Sequence, residues 1–157
     1  QIQSFGLAFL IISLIMFGIF GSVKLGLVAI LPNTFPMLTV FGLMGWLDFN
    51  LDITTLMTAP IIIGIAVDDT IHFITHYRLS LLKGASISEA IHATLHEVGQ
   101  AIIFTTLILM SIFLFFIPVS HVGVSRFSIL AVIAVFSALL ADLFLLPALC
   151  RVLRVRV

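Results

Sequence analysis

Two adjacent acids, Asp68 and Asp69, stand inside an apolar run that continues through His72 to His76. A charged side chain at the centre of a bilayer costs at least about 2.5–3.5 kcal/mol. Two neighbours oppose each other further if both ionise. Packing a lipid-embedded helix requires no such pair, so it reads as a functional site, most simply one that takes up and releases protons. On a helix Asp68, His72 and His76 follow at i, i+4 steps and share one face. Imidazole titrates near neutral pH. A mid-membrane carboxylate with imidazoles below it has the chemistry of a proton wire. The plainer reading is a neutral, hydrogen-bonded pair with histidines that satisfy interface groups, and for His76 that reading is preferred. The Asp-x-x-x-His-x-x-x-His spacing also permits a metal. No second helix offers a clear fourth ligand, so no metal site is assigned.

The solvent for this run must be lipid. Hydrophobic residues make up 62% of the chain and charged residues 9%, against about 25% charged in a soluble domain. Net charge is zero and no basic run suits nucleic acid. Cys150 is the one cysteine, which excludes an internal disulfide and a cysteine-rich metal centre. The chain begins at Gln1 with no basic stretch before its first apolar run, unlike a signal peptide.

Five apolar segments, about 5–21, 26–47, 53–77, 99–117 and 124–150, have the length of membrane-spanning helices. The predicted fold is all-α: a polytopic membrane protein with a five-helix bundle, forming a single transmembrane domain over 1–157. Short links predict antiparallel neighbours. In the longest link, Ser86-Ile-Ser-Glu89 matches a capping box. It predicts a short amphipathic helix over 86–97, with Ile87, Ile91, Leu95 and Val98 on one face. Lys24, Arg78, Lys83, Arg151, Arg154 and Arg156 fall on one side of the membrane and Arg126 on the other. Positive charge marks the cytoplasmic side, so the basic loops and C-terminal tail are expected there. This leaves Gln1 outside, which implies a preceding segment and hence a piece of a longer chain.

Asp69 lies nine residues before Arg78, and Asp142 nine before Arg151. At 1.5 Å per residue both sit about 13–14 Å from that interface. The two segments run in the same direction, so their acids share a level. Thr105 and Thr106 reach a similar depth. Asp68, Asp69, Asp142, Thr105 and Thr106 are therefore expected in one polar layer, although the threonines can equally bond their own backbone and Asp142 can serve packing alone. Pro60 and Gly64 are read as kink and packing positions of the third segment.

The segment Gly64-Ile-Ala-Val-Asp68-Asp69-Thr-Ile-His72-Phe resembles the fourth helix of a transmembrane half in the resistance-nodulation-division superfamily. The likeness is closest to the branch of mycobacterial-membrane-protein-large transporters, hopanoid exporters and Patched-like proteins, whose signature is Gly-x-x-x-Asp followed by Asp or Tyr. Glu89-Ala-Ile leading to Ala101-Ile-Ile-Phe-Thr105-Thr106 is similar to the following loop and fifth helix. Ala141-Asp142-Leu-Phe-Leu-Leu-Pro147-Ala-Leu is similar to the end of the sixth. The resemblance implies helices two to six of a half, or, with the basic tail as a chain end, helices eight to twelve. It also implies two such halves, each with a large extracytoplasmic domain, and proton movement through the acid pair driving export. In tripartite pumps a lysine on the other half pairs with the acids; the apolar segments here carry none.

The expected function is the proton-coupling part of an exporter of hydrophobic or amphiphilic substrates in a bacterial inner membrane. The expected relay is Asp68, Asp69, His72, Asp142, Thr105 and Thr106. No catalytic residues and no cofactor are assigned; protons are the coupling ion. Expected partners are the lipid bilayer, a hydrophobic or lipid substrate, the other transmembrane half and its extracytoplasmic domains. A homo-oligomer is compatible with this and nucleic acid is not expected. The rival is a non-transporting sterol- or lipid-sensing module. An intramembrane aspartyl protease is disfavoured because Asp142 lacks a Gly-x-Gly-Asp context.

Overall fold

The structure, a computed structural model, describes residues 2–49 and 53–154. Gln1 and Arg156, which entered the topology argument, lie outside them. Every regular element among the described residues is helical: α1 (Ile2–Phe20), α2 (Val23–Trp46), α3 (Ile53–Leu82), α4 (Ile87–Glu97), α5 (Gly99–Phe116), α6 (Val122–Leu140), a π-turn (Ala141–Leu145) and α7 (Leu146–Val152). The stretches Val23–Trp46, Ile87–Phe116 and Val122–Val152 are long and apolar enough to cross a membrane, and Phe9–Phe20 is a shorter apolar stretch. In α3, 30 residues make a rod of about 45 Å. The chain is thus a polytopic helical bundle, as its composition predicts.

Local chemistry sets the breaks. Gly21 takes φ +59 and ends α1, a left-handed turn that costs glycine little. Gly84, at φ +91, ends α3, with the Ala85 amide reaching back to the Ser80 carbonyl. α3 therefore continues past Arg78 to Leu82, further than the expected end at residue 77, because Gly84 is the first residue there able to stop it. The capping box forms as its spacing requires: the Glu89 amide donates to Ser86 Oγ, and the Ser86 amide donates to Glu89 Oε2.

The last rod holds an element the apolar pattern does not announce. Leu146 donates its amide five residues back, to the Ala141 carbonyl. Pro147 follows, lacks an N–H and crowds the carbonyl four residues before it. The chain widens into a π-turn around Asp142, a form that recurs at functional sites.

Two apolar clusters hold the bundle. One joins Met16 and Phe20 of α1, Leu25 and Val28 of α2, Phe73 and Tyr77 of α3, Ile91 of α4, and Leu146 and Cys150 of α7. The other joins Val40, Met44, Ile62, Leu130 and Ala134. In lipid, apolar burial gives little net drive for helix association, so close packing and interhelical hydrogen bonds decide the partners. At one end the helices are tied by polar contacts: Arg78 Nη1 donates to the Phe20 carbonyl at 3.2 Å, Arg151 Nη2 donates to Ser88 Oγ at 3.3 Å, and His76 meets Glu97 at 3.2 Å. Lys24, Arg78, Lys83 and Arg151 therefore gather at this end. At the other, Arg126 lies over the Phe49 ring at 5.1 Å, and Trp46 is 82% exposed, as in an interfacial aromatic belt. The apolar face of α4 packs inward through Ala90, Ile91 and Val98, while His92 and His96 are exposed.

Candidate functional site

The polar layer expected from depth alone divides into two sites on opposite sides of α3. Helix geometry is the reason: Asp68, Asp69 and Thr70 are consecutive and point about 100° apart, so three successive side chains cannot face one way.

The inner site is a hydrogen-bond chain across three elements. Asn33 of α2, Thr70 of α3 and Asp142 of the π-turn are all buried, Asp142 at 1% exposure. Asn33 Nδ2 donates to the Ala29 carbonyl at 2.7 Å and to Thr70 Oγ1 at 3.2 Å. Thr70 Oγ1 donates to Asp142 Oδ1 at 2.7 Å. The chain lies between the two apolar clusters, which take residues on either side of it on each of the three rods. Asp142 points into the bundle and against α3, and it lies within electrostatic range of Asp69.

The outer site is a groove of about 760 Å³ between α3 and α5, lined by Ile61, Gly64, Ile65, Asp68, Asp69, Thr105, Ile108 and Leu109. Asp68 and His72 stand on this open side, their side chains 75% and 65% exposed and 3.7 Å apart. Asp69 is half-buried and lines the groove, so it is the member of the pair that adjoins both sites.

Several expectations need correction. The Asp68–His72–His76 stripe shares a face but does not descend through the bundle interior: Asp68 and His72 face outward, and His76 turns to Glu97 of α4. Thr105 does not join the acids by a hydrogen bond. It is exposed and donates to the carbonyls of its own helix at Ala101 and Ile102, 3.1 and 3.0 Å away, the common behaviour of a helical threonine. Thr106 is buried at 2% exposure. Gly64 admits no close neighbour within the described residues, since a Cβ there would meet nothing within 4 Å. Pro60 is exposed within an uninterrupted α3. Among the described residues no three His, Cys, Asp or Glu side chains converge as metal ligands.

Asn33 and Thr70 were not singled out by the sequence. A signal for Asn33 was present: it lies nine residues after Lys24, the same count that placed Asp69 and Asp142 at mid-membrane. Thr70 carries no comparable mark, because a threonine in an apolar helix most often bonds its own backbone.

Comparisons with known proteins bear on the family of the whole chain. A hopanoid transporter of Burkholderia multivorans is 30% identical over 102 residues, covering 65% of this chain and 12% of the relative. A putative membrane protein of Methanocaldococcus jannaschii is 34% identical over 77 residues, 49% of this chain and 20% of the relative. A solvent-resistant pump membrane transporter of Pseudomonas putida is 25% identical over 150 residues, 91% of this chain and 14% of the relative. The matched residues thus cover at most 20% of the length of each of these relatives. The model of the AcrB/AcrD/AcrF family matches residues 2–155, almost the whole chain, and the chain belongs to that family, within the resistance-nodulation-division superfamily its residues resemble.

Proposed function

We propose that this chain is the proton-coupling transmembrane unit of an exporter that moves hydrophobic or amphiphilic molecules out of a bacterial inner membrane. The observation that carries the reading is the position of Asp69. It borders an open groove on one side and stands in electrostatic range of the buried Asp142 on the other. A carboxyl so placed connects a surface-reachable acid, Asp68, with an interior acid held across three rods. Uptake or loss of a proton there changes the charge inside the packed bundle, and proton-motive force then biases two arrangements of the helices.

The rest of the proposal follows from this core. The basic end carrying Lys24, Arg78, Lys83 and Arg151 faces the cytoplasm. The exposed acid of the outer groove is covered in the full-length protein by its other transmembrane half, since a lipid-facing carboxylate is costly. Substrate choice belongs to regions beyond this chain, and no catalytic step is assigned.

The test uses the full-length protein reconstituted in vesicles with an imposed pH gradient. Asp68→Asn and Asp69→Asn are each expected to abolish proton-coupled export while leaving expression normal, because Asn keeps size and hydrogen bonding. Wild-type export by both variants would overturn the reading. That outcome would favour a lipid-sensing module, for which the one supporting observation is the groove itself, whose volume of about 760 Å³ lies in the range of small-ligand sites.

A further inference from the structure

The wide turn leaves one main-chain acceptor open. In a regular α-helix the Asp142 carbonyl would accept from Leu146, four residues on. Leu146 instead donates to the Ala141 carbonyl, and Pro147, the next in line, has no N–H to give. A second open acceptor belongs to α2, which packs directly against the turn. Asn33 is 3% exposed, and its Oδ1 is buried without a hydrogen-bond partner. The orientation of this amide is fixed by its own helix. Nδ2 lies 2.7 Å from the Ala29 carbonyl, and turning the amide over would set acceptor against acceptor there. Nδ2 also stands 3.2 Å from Thr70 Oγ1, which is 2.7 Å from Asp142 Oδ1. A single hydroxyl thus separates the Asn33 amide from the Asp142 carboxyl, whichever of Thr70 and Asp142 supplies the hydrogen between them. Alanines leave room around this cluster. Ala29, Ala66 and Ala138, one turn before Asn33, Thr70 and Asp142, are all buried.

We propose that Asn33 Oδ1 and the main-chain carbonyl of Asp142 hold one buried water, an intramembrane hydration site beside the Asp142 carboxyl. Both groups accept and neither donates. A shared ligand must therefore bring two hydrogens, which one water carries. Buried waters bind where interior polar groups lack protein partners. Irregular helix backbone at membrane depth is tolerated on the same condition, that its freed groups find partners. Leaving two buried acceptors unpaired is the larger cost, and immobilising one water the smaller. A monovalent cation is also drawn to open oxygens. Here it would meet the Asn33 NH2 group, which donates into the cluster. The water joins α2 to the wide turn by a link that exchanges, in place of a fixed side-chain bridge. The site stands apart from the proton-coupling reading, since it needs no titration of Asp68 or Asp69.

The test is water-edited solid-state NMR of the full-length protein in lipid vesicles, in which magnetisation passes from water to the protein. The Asn33 side-chain signal, identified by its loss in Asn33→Leu, should receive magnetisation as fast as amides at the membrane surface. The amide of Ala134, a buried alanine of α6, should receive little. Pro147→Ala supplies an N–H that closes on the Asp142 carbonyl, and it should reduce the transfer at Asn33 to the level of Ala134. Phe144→Ala alters an exposed side chain of the same turn and should leave the transfer unchanged. Absence of transfer to Asn33 in the wild type overturns the proposal, and so does full transfer in Pro147→Ala. Where Pro147→Ala does not accumulate in the membrane, transfer to the Asp142 carbonyl carbon of the wild type, selected through its bond to the Leu143 nitrogen, decides in its place. Signals at Asn33 that move with sodium but not with choline would mark a cation site and overturn the water. An inactive Asp69→Asn without transfer to Asn33 sinks only the hydration site. Active Asp68→Asn and Asp69→Asn with full transfer sink only the proton-coupling reading.

Discussion

The two faces of α3 solve the same electrostatic problem differently. Toward the bundle, Thr70 and Asp142 are buried and meet at 2.7 Å, with Asn33 completing the contact. Toward the groove, Asp68 keeps only a loose 3.7 Å contact to His72, and both are mostly exposed. A polar group inside a packed bundle is stabilised by fixed partners. A polar group on an open face is held by whatever covers that face. The inner face finds its donors for Asp142 within this chain, whereas the outer face leaves Asp68 and His72 open.

The sharpest way to break this contrast is to compare Thr70→Val with Asp68→Leu in stability. Thr70→Val removes the donor to the buried Asp142 and leaves Asn33 with the Ala29 carbonyl alone, and it should destabilise the fold by about 1–3 kcal/mol. Asp68→Leu removes an exposed, loosely paired acid and should change stability by less than about 0.5 kcal/mol. Unfolding by denaturant in detergent micelles measures both, and equal losses would mean that the outer acid is also held within the chain.

Two glycines sharpen the contrast at the level of packing. A Cβ on Gly26 would collide with the ring of Phe17. Gly26→Ala is therefore expected to cost about 1–3 kcal/mol, the usual range for overpacking, and to be relieved by Phe17→Leu. Gly64 faces the groove, and a Cβ there meets nothing within 4 Å. Gly64→Ala should be neutral or stabilise this chain by up to about 1 kcal/mol through helix propensity. In the full-length protein the same change should reduce export if another helix packs against the groove. Wild-type export by Gly64→Ala would show that the groove stays open.

The smallest expected effect lies at the basic end. Hydrogen bonds from Ser86 hold the Glu89 carboxyl below its ordinary value of 4.5. A depressed carboxyl contributes stability above its unfolded value, and that contribution fades as pH falls through the lower, folded value. The first turn of α4 should therefore fray below about pH 4.5, seen as faster amide exchange at Glu89. Glu89→Gln should remove the pH dependence. Unchanged exchange across that window in the wild type would mean that packing of Ala90 and Ile91 alone holds α4 in place.

Class, helix breaks and depth are legible in the residues alone. Apolar runs of spanning length leave helices as the only way to satisfy backbone groups in lipid. Gly21, Gly84 and the Ser86–Glu89 box mark where helices stop and start through strictly local geometry. Counting 1.5 Å per residue from Arg78 and Arg151 places Asp69 and Asp142 at one level without knowledge of their neighbours. Which way each polar group looks is set by packing. A helix that is apolar nearly all round carries no stripe to say which side faces its partners, so rotation about its own axis is left to packing. That rotation turned Thr70 inward and Asp68 outward, and it assigned Asp142 to Thr70 where depth alone had grouped it with Thr105. Asn33 was legible in depth but not in role, because its partners come from α3 and from a π-turn that forms only where Pro147 leaves the helix one donor short.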